Sequence, residues 1–337
     1  MAKFIKIIIL ILIIIFAVLA GVFYYFFIGS APVDGNIKWG VDFSQMQSEA
    51  LGLSWQENYL AILNDLGVKN IKLHTQWDFV EGKKGEYFFN DIDWQINHAE
   101  SARTKMIYVV GMKTGRWPEC HIPGWAESIS KAEQQKEILK YIEKVVSRYK
   151  NSDSIIAWQV ENEPFFKFGE CPWYDEDFLK KEVELVKSID PARPIIISDS
   201  GEQSLWGEAA QIGDIVGITM YRKVWGKITD NAGFYIDSFL PSINYYRKAE
   251  MIKNIYGKDV ICIELQAEPW AQKPFYDVPL KEQEKTMDLE QFKKNIEFAK
   301  NTGLKEFYLW GAEWWYWLKE KQNKPEIWNE ARILFRP

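Results

Sequence analysis

The strongest hydrophobic pattern lies at the N-terminus, where Ile7 to Ile28 carry no charge and are mostly Ile, Leu, Val and Phe. About twenty such residues span the hydrocarbon core of a bilayer as a helix. A cleavable signal peptide usually has an apolar stretch of only about 7–15 residues, and Pro32 disfavours cleavage after the preceding small residues. Lys3 and Lys6 precede the segment, which predicts a cytoplasmic N-terminus. We therefore expect residues 1–30 to be an uncleaved single-pass signal-anchor, with the rest of the chain extracytoplasmic.

Beyond this segment, short apolar runs alternate with longer stretches in which apolar residues recur at helical spacing. The stretch after Ser54 is typical, because Glu57 completes a capping box at its start and Gly67 ends it. The predicted strands are Ile37–Phe43, Asn70–His74, Met106–Gly111, Ile155–Val160, Pro194–Ser198, Asp214–Thr219, Asp259–Ile263 and Glu306–Trp310. The predicted helices that follow them cover residues 54–66, 91–102, 128–149, 175–189, 204–211, 236–256, 288–301 and 325–334.

Eight alternating strand–helix pairs predict an α/β fold, a closed (β/α)8 or TIM barrel with a parallel sheet. An open doubly wound sheet is the alternative, and it normally carries a Gly-rich turn after its first strand. Here Ser44 and Gln45 follow the first strand, so the barrel is favoured. We expect one transmembrane helix within residues 1–30 and a single barrel domain over residues 31–337.

Charge and composition narrow the possible partners. The chain has 41 Lys and Arg residues against 47 Asp and Glu residues, a formal net charge of −6. This acidic balance disfavours a nucleic-acid partner, and no basic stripe reverses it. The chain also contains 16 Trp, for which two interpretations stay open. They belong to the core, or their faces stack on the C–H faces of sugar rings.

The cysteines and histidines are few. Cys120 and Cys171 each lie in a Pro-containing loop, and we expect a disulfide between them in an oxidising compartment. Cys262 lies inside a predicted strand, where a small buried apolar role is favoured. With three His and no Cys/His spacing typical of zinc, we expect no metal site and no organic cofactor.

The most informative residue is Glu163, which lies in Asn162-Glu163-Pro164 directly after the apolar run of the fourth predicted strand. A carboxyl at the exit of a buried strand is partly desolvated, so its pKa rises and it can hold a proton near neutral pH. An arbitrary surface Glu in a loop is the alternative. Strand alternation places Glu161 on the same side, where it competes for the role of acid.

A second carboxylate, Glu264, follows the apolar run of the seventh predicted strand. Glu268, four residues further on, is its rival, but strand ends hold a nucleophile more rigidly than loops do. The fourth and seventh strands lie on opposite sides of an eight-stranded barrel, so the two carboxyl groups face each other across its mouth. A separation of about 5–5.5 Å would make the reaction a retaining glycoside hydrolysis.

These residues resemble a known pattern. In order along the chain, Asn162-Glu163 after strand four, Tyr221 after strand six, Glu264 after strand seven and Trp310 at the end of strand eight are similar to the clan A glycoside hydrolases. That superfamily of retaining (β/α)8 enzymes includes the cellulase-like family 5. The resemblance implies that Glu163 is the acid/base and Glu264 the nucleophile. It also implies that Tyr221 orients Glu264 and that Trp310 floors the sugar site.

Two further features concern the same resemblance. The segment 77–93 is similar to the loop after strand two in several clan A families. Many clan A enzymes carry an Arg on strand two that orients the nucleophile, whereas Lys72 and His74 are the nearest candidates here. Lys cannot reproduce the bidentate fork of Arg. For His74, a structural role and a role in binding stay equally open.

Three residues that often bind ligands share the loop after strand three: Arg116, Trp117 and His121. We expect them, together with Trp270 after strand seven, to bind substrate. The cluster Trp314–Trp317 either lines distal sugar sites or packs beneath the last helix.

Taken together, the sequence predicts a membrane-anchored retaining β-glycosidase that hydrolyses O-glycosidic bonds of a poly- or oligosaccharide. Glu163 would serve as acid/base and Glu264 as nucleophile, while Asn162 would hold the substrate 2-hydroxyl. A transglycosylase with the same residues and a non-catalytic surface carbohydrate-binding barrel are the alternatives. A purely structural or adhesion domain is a third, but it would not need two facing carboxylates.

Overall fold

Eight parallel strands close into a barrel in the computed structural model, which describes residues 2–33, 35–229 and 232–336. In chain order the strands are β1 (Lys38–Phe43), β2 (Asn70–His74), β3 (Lys105–Val110), β4 (Ile155–Val160), β5 (Ile195–Asp199), β6 (Ile215–Met220), β7 (Lys223–Thr229), β8 (Ala232–Asp237), β9 (Asp259–Gln266) and β10 (Glu306–Trp310). β7 and β8 form a separate antiparallel pair, and the other strands follow one another around the barrel, with β10 beside β1. The predicted (β/α)8 barrel is confirmed.

The helices lie between the strands and around them. They are α1 (Ala2–Phe27), α2 (Gln45–Ala50), α3 (Trp55–Asn64), α4 (Trp77–Val80), α5 (Asn90–Ser101), α6 (Lys131–Tyr149), α7 (Glu176–Ile189), α8 (Gly207–Ile212), α9 (Ser242–Tyr256), α10 (Leu280–Gln283), α11 (Leu289–Lys300), α12 (Ala312–Lys321) and α13 (Glu326–Leu334). Ser54 caps α3 as predicted, because its hydroxyl accepts a hydrogen bond from the backbone N–H of Glu57.

Each barrel strand buries both of its faces. Alternate residues point into the barrel, where they form one small apolar cluster, and the others pack against the helices in a much larger cluster. The inner cluster consists of Ile107, Ala157, Ile196, Ile263 and Tyr308. Because both faces are buried, the strands appear in the sequence as continuous apolar runs rather than as alternating ones.

The helix predicted over residues 236–256 is wrong at its start. Residues up to Asp237 belong to the hairpin β7–β8, and α9 begins only at Ser242, after Pro241. The hairpin segments are rich in β-branched and aromatic residues, which favours strands over a helix. Pro241 marks the helix start, since proline is tolerated only in the first turn.

Two other differences concern residues near the barrel mouth. β9 continues to Gln266, so Glu264 lies inside the strand instead of directly after it. The cluster Trp314–Trp317 lies on α12, which the sequence did not predict, and its Trp314 and Trp315 are fully buried. These two side chains therefore pack beneath the barrel mouth and are not available as distal sugar platforms.

The predicted disulfide is confirmed. Cys120 in the loop after β3 is bonded to Cys171 in the loop after β4, and Cys262 is free and buried. The bond joins two long loops on the same rim of the barrel, so it fixes their positions relative to each other.

The N-terminal helix α1 is long and apolar enough over Lys3–Phe27 to cross a membrane, and its most apolar stretch is not buried against the rest of the protein. A core helix of a soluble protein would be covered, so this exposure leaves a membrane anchor or a signal sequence. The end of α1 contacts α9, because the side-chain amide of Asn244 donates a hydrogen bond to the carbonyl of Phe26 at 3.5 Å.

Candidate active site

Glu163 lies just beyond β4 in a backbone turn with unusual geometry. Both Glu161 and Glu163 have positive φ, 58° and 42°, which is rare for residues with a side chain and is typical of functional sites. The turn is held by neighbouring strands, since the backbone N–H of Glu163 donates to the hydroxyl of Ser198 at 2.7 Å. The hydroxyl of Thr219 donates to the Glu163 carboxyl at 3.0 Å. The turn thus fixes the Glu163 carboxyl at the mouth of the barrel.

Glu264 receives two donors, one on each carboxyl oxygen. The hydroxyl of Tyr221 donates to Oε2 at 2.8 Å, and the ammonium of Lys72 donates to Oε1 at 3.1 Å. The side chain of Glu264 is buried. Two donors, one on each oxygen, fix the orientation of the Glu264 carboxyl group. Lys72 on β2 therefore occupies the position where the resemblance led us to look for Arg.

The proton affinity of Glu163 differs from that of an ordinary carboxyl. Burial raises the pKa of Glu163 to about 8, and the negative charge of Glu264 adds to the rise. A carboxyl group with this pKa is protonated at neutral pH. The site therefore pairs a carboxylic acid, Glu163, with a carboxylate, Glu264, which is the division of labour that glycosidic bond cleavage requires.

Lys72 also contacts Asp42 of β1, at 3.0 Å, and all three charged groups are buried. Burial opposes the charge on Lys72, but Asp42 and Glu264 on either side outweigh it and raise the pKa of Lys72. Burial also raises the pKa of Asp42, although the charge of Lys72 opposes that rise. One ammonium thus serves two carboxyl groups at the base of the site.

His74 is satisfied by its surroundings. Its Nε2 lies 3.2 Å from Asp42, and its Nδ1 contacts the backbone carbonyl of Thr114. Burial and the nearby Lys72 charge lower the pKa of His74 well below its usual value, so the ring is neutral. These contacts support a structural role for His74, next to Lys72 and Asp42.

Glu161, the rival acid, faces the loop after β3. Its two carboxyl oxygens accept hydrogen bonds from the backbone N–H groups of Met112 and Lys113, both at 2.7 Å. The ammonium of Lys113 in turn donates to the backbone carbonyl of Glu163 at 3.0 Å. Glu161 is thus a connector between two loops, and its position supports the turn that carries Glu163.

Asn162 lies between the two loops. Gln159 donates to its side-chain oxygen at 3.1 Å, and its amide nitrogen is 3.5 Å from the carboxyl of Glu119. Burial raises the pKa of Glu119 to about 7. Neither Gln159 nor Glu119 was among the predicted site residues. Gln159 is a polar residue within the apolar run of β4, and that is the signal by which it could have been found.

Arg116 crosses the mouth of the barrel. Its guanidinium forms ion pairs with Glu268 and, at 3.1 Å, with Glu313, and it lies 4.0 Å from the centre of the Trp310 ring. Arg116 therefore covers one face of the Trp310 ring. Glu268, the rival nucleophile, is engaged in this ion pair instead of facing Glu163.

We call the group formed by Arg116, Glu268 and Glu313 the arginine bridge. Glu313 was missed by the sequence analysis because it lies on α12, which was not predicted. Its other carboxyl oxygen accepts a hydrogen bond from the backbone N–H of Ser44, at 2.5 Å. The arginine bridge therefore ties the loops after β1, β3, β9 and β10 together, and all three of its side chains are buried.

Aromatic side chains form a row on the same rim. The ring centre of Trp117 lies 6.1 Å from that of Phe168, which lies 5.8 Å from that of Trp270, and Trp270 lies 4.9 Å from Tyr221. Trp117 is 53% exposed, so it offers a ring to solvent. Since Tyr221 contacts Glu264, this row leads from solvent to the carboxylate. Phe168 was not among the predicted residues.

His121 is not on the rim. It is buried, and its Nε2 contacts the carbonyl of Gly115 at 2.9 Å. It therefore holds the loop after β3 in shape, and the structure brings together only Arg116 and Trp117 from the predicted trio at the mouth. Among the described residues, no group of three or more His, Cys, Asp or Glu side chains is arranged to hold a metal ion.

Comparison with known sequences gives a family match over most of the chain. A sequence model of glycosyl hydrolase family 10 matches residues 40–332. A probable mannan endo-1,4-beta-mannosidase A from Aspergillus clavatus is 40% identical over 76 residues, which cover 21% of this chain and 20% of that protein. The match thus spans about a fifth of the length of this curated relative.

Two solved structures show the same fold. Xylanase 10B from Thermotoga maritima aligns with a TM-score of 0.57 and 17% identity, over 88% of this chain and 95% of that one. A GH5_18 protein from Bifidobacterium longum subsp. longum aligns with a TM-score of 0.56 and 12% identity, over 82% of this chain and 70% of that one. At these identities the likeness concerns the barrel fold.

Replacing Lys72 by Met should destabilise the protein by about 3–5 kcal/mol at neutral pH, because the substitution leaves two buried carboxyl groups without their cation. This loss of stability should become smaller as the pH falls, since the folded variant then binds protons that neutralise the unpaired carboxyl groups. Denaturant unfolding over a pH series measures both effects. The exposed Lys180→Met variant should change stability by no more than about 0.5 kcal/mol. A K72M penalty that is constant with pH would contradict the charge network.

Proposed function

The chain belongs to glycosyl hydrolase family 10, and from this membership we propose that it cleaves β-glycosidic bonds by a retaining double displacement. Membership confirms the predicted superfamily, clan A, and the predicted enzyme class, a glycoside hydrolase. The matched family is family 10, whereas the sequence features had pointed towards the family 5 members of the clan. The roles of individual residues are the proposal, and the pairing of a protonated Glu163 with the doubly hydrogen-bonded Glu264 carries it.

In the first step, Glu163 donates its proton to the glycosidic oxygen while the Glu264 carboxylate attacks the anomeric carbon. The bond to the leaving group breaks, and a covalent glycosyl ester forms on Glu264. Tyr221 and Lys72 hold the attacking carboxylate in place through its two oxygens. Asn162, beside Glu163, would hold the 2-hydroxyl of the sugar.

In the second step, Glu163 has lost its proton and acts as a base. It removes a proton from water, which attacks the anomeric carbon and releases the sugar from Glu264. The site thereby returns to its initial protonation state. A transglycosylase would use the same groups with a sugar hydroxyl in place of water, and products longer than the substrate would reveal it.

The substrate proposal is a β-1,4-linked polysaccharide, with mannan first in the panel to be tested. It is supported by the 40% identical segment shared with the probable mannan endo-1,4-beta-mannosidase A. The row of aromatic rings from Trp117 to Trp270 supports a carbohydrate ligand, since sugar C–H faces stack on such rings. We further propose that α1 anchors the barrel outside the cytoplasm, which is supported by its uncovered apolar surface.

The roles of the two carboxyl groups can be separated by leaving-group chemistry. Glu264→Gln should abolish cleavage of all aryl β-glycosides, because no ester can form. Glu163→Gln should retain kcat/KM for a dinitrophenyl glycoside, whose leaving group needs no proton in the first step, and lose at least about 10²-fold in kcat/KM on a natural oligosaccharide. Initial rates on the two substrate types measure this.

The matched control is Glu268→Gln, which should leave the leaving-group preference unchanged. A 2-fluoro glycoside that traps the ester should label the peptide containing Glu264. Label on Glu268, or equal losses of Glu163→Gln on both substrate types, would overturn the assignment.

The pH dependence follows from the raised pKa of Glu163. Because the acid form is the active one and the pKa of Glu163 is about 8, kcat/KM should be sustained at neutral pH and fall as the pH rises through that value. On the natural oligosaccharide, the residual kcat/KM of the Glu163→Gln variant should lack this alkaline limb. The test fails if wild type and variant show the same limb.

A further inference from the structure

The hairpin β7–β8 has one apolar face. Residues paired across an antiparallel hairpin share a face, and the pairs Val224–Ile236 and Gly226–Phe234 place aliphatic and aromatic groups together. The intervening pair Trp225–Tyr235 lies on the opposite face. The hairpin lies outside the barrel sheet, and its two faces therefore carry different side chains.

The face of Trp225 and Tyr235 is the one that meets the barrel. The two rings contact each other at 5.0 Å, and the hydroxyl of Tyr235 donates to Glu282 in α10. The base of the hairpin is tied to β9, because the backbone N–H of Lys223 donates to Gln266 at 2.9 Å and the Gln266 amide donates back at 2.6 Å. Anchored in this way, the hairpin directs its apolar face away from the barrel.

That outward face is uncovered. Phe234 is 54% exposed, Ile228 is 68% exposed, and Phe239, just after the hairpin, is 82% exposed. Large apolar side chains grouped on a surface mark a contact with another apolar phase. Leaving these apolar side chains in water would be unfavourable, so we expect another apolar phase to cover this face.

The position of the patch next to α1 identifies the occupant. The ring of Phe239 lies parallel to that of Phe27, the last residue of α1, with 6.5 Å between the ring centres. The guanidinium of Arg247 lies 4.8 Å from the ring of Tyr25, within the last turn of the same helix. The barrel thus touches the end of α1 directly, at the level where a membrane-spanning helix leaves the hydrocarbon and aromatic residues are enriched.

We propose that the apolar face of the hairpin, together with Phe239, inserts into the interfacial layer of the membrane that α1 spans. The proposal rests on the proposed anchoring of α1 and adds a second contact with the lipid. Arg247 suits the headgroup layer, because its guanidinium lies beside Tyr25 at the end of α1 and a guanidinium can donate to lipid phosphates. The bilayer is favoured over a second protein because the patch is continuous with the membrane helix.

The contact has a consequence for the active site. The hairpin is tied to Gln266, two residues beyond Glu264, and Tyr221 lies two residues before its first strand. Lipid on the outer face of the hairpin would therefore fix the barrel mouth at a set height and angle above the membrane. A barrel held in this way would act on polysaccharide close to the membrane surface.

Spin labels on the full-length chain in phosphatidylcholine vesicles test the proposal. Three variants are used, each with one added cysteine. Phe234→Cys lies on the apolar face, the side chain of Asp237→Cys belongs to the other face, and Leu12→Cys lies in α1. Cys120 and Cys171 are bonded and Cys262 is buried, so they do not compete for the label. Collision with oxygen and with a water-soluble nickel chelate reports whether each label lies in lipid or in water.

The labels at Phe234→Cys and Leu12→Cys should collide mainly with oxygen, and the label at Asp237→Cys mainly with the nickel chelate. An aqueous label at Phe234→Cys with a lipid-embedded label at Leu12→Cys would overturn the hairpin contact and leave the anchor intact. Aqueous labels at both would overturn the anchor and, with it, the hairpin contact. Strong spin–spin coupling between copies at Phe234→Cys would assign the face to a second chain and overturn the proposal.

Two controls make the result independent of other failures. Ile236→Cys, on the same face as Phe234, should report the same lipid environment, so a folding defect specific to one variant does not decide the outcome. Circular dichroism establishes that each variant is folded. The measurement uses no substrate, so a failure of the proposed hydrolase activity would appear separately, as a folded, membrane-bound chain that cleaves no glycoside.

Discussion

The site depends on one buried cation. The ammonium of Lys72 lies 3.0 Å from Asp42 and 3.1 Å from Glu264, and each of these side chains is almost completely buried. Without the lysine, two desolvated carboxyl groups would share one end of the barrel, which is strongly unfavourable. With it, Glu264 keeps a fixed carboxylate, and the charge of that carboxylate helps to keep the proton on Glu163. The carboxyl groups of Glu163 and Glu264 are thus two ends of one electrostatic arrangement.

The register of the barrel puts these groups in place. Asp42 on β1 is the direct neighbour of Lys72 on β2, and Thr219 on β6 is the direct neighbour of Glu264 on β9. Thr219 then reaches across to the Glu163 carboxyl. Because the strands close into a ring, residues that are far apart in the sequence become adjacent at one end of it. The arginine bridge adds an upper layer to the same arrangement and covers the ring of Trp310.

Hydrophobic patterns within short segments of the sequence were sufficient to predict most of the fold. The barrel strands are buried on both faces, so their apolar runs and the intervening helices could be predicted from the sequence alone. The hairpin could not, because residues 236–241 run into a helical pattern and only Pro241 marks where that helix begins. α12 was missed because a row of tryptophans shows no obvious polar face.

The candidate site was predictable only in part. Asn162, Glu163 and Glu264 follow recognisable apolar runs, and the structure places them at one mouth. The partners of these residues depend on long-range geometry. Nothing near Arg116 in the sequence indicates that it would reach Glu268 and Glu313, and nothing near His121 indicates that it would be buried beneath its own loop. Trp310 was found, but the guanidinium on its face was not foreseeable.

The most direct test of the central claim is a titration of the Glu163 side chain by carbon-13 NMR, before and after Glu264 is trapped as a 2-fluoroglycosyl ester. Esterification removes the negative charge that adds to the raised pKa of Glu163, while the ordinary effect of burial stays. The account predicts that the pKa of Glu163 is raised in the free protein and falls clearly in the trapped one. A pKa of Glu163 that is the same in both states would show that the two carboxyl groups are not coupled, and would contradict it.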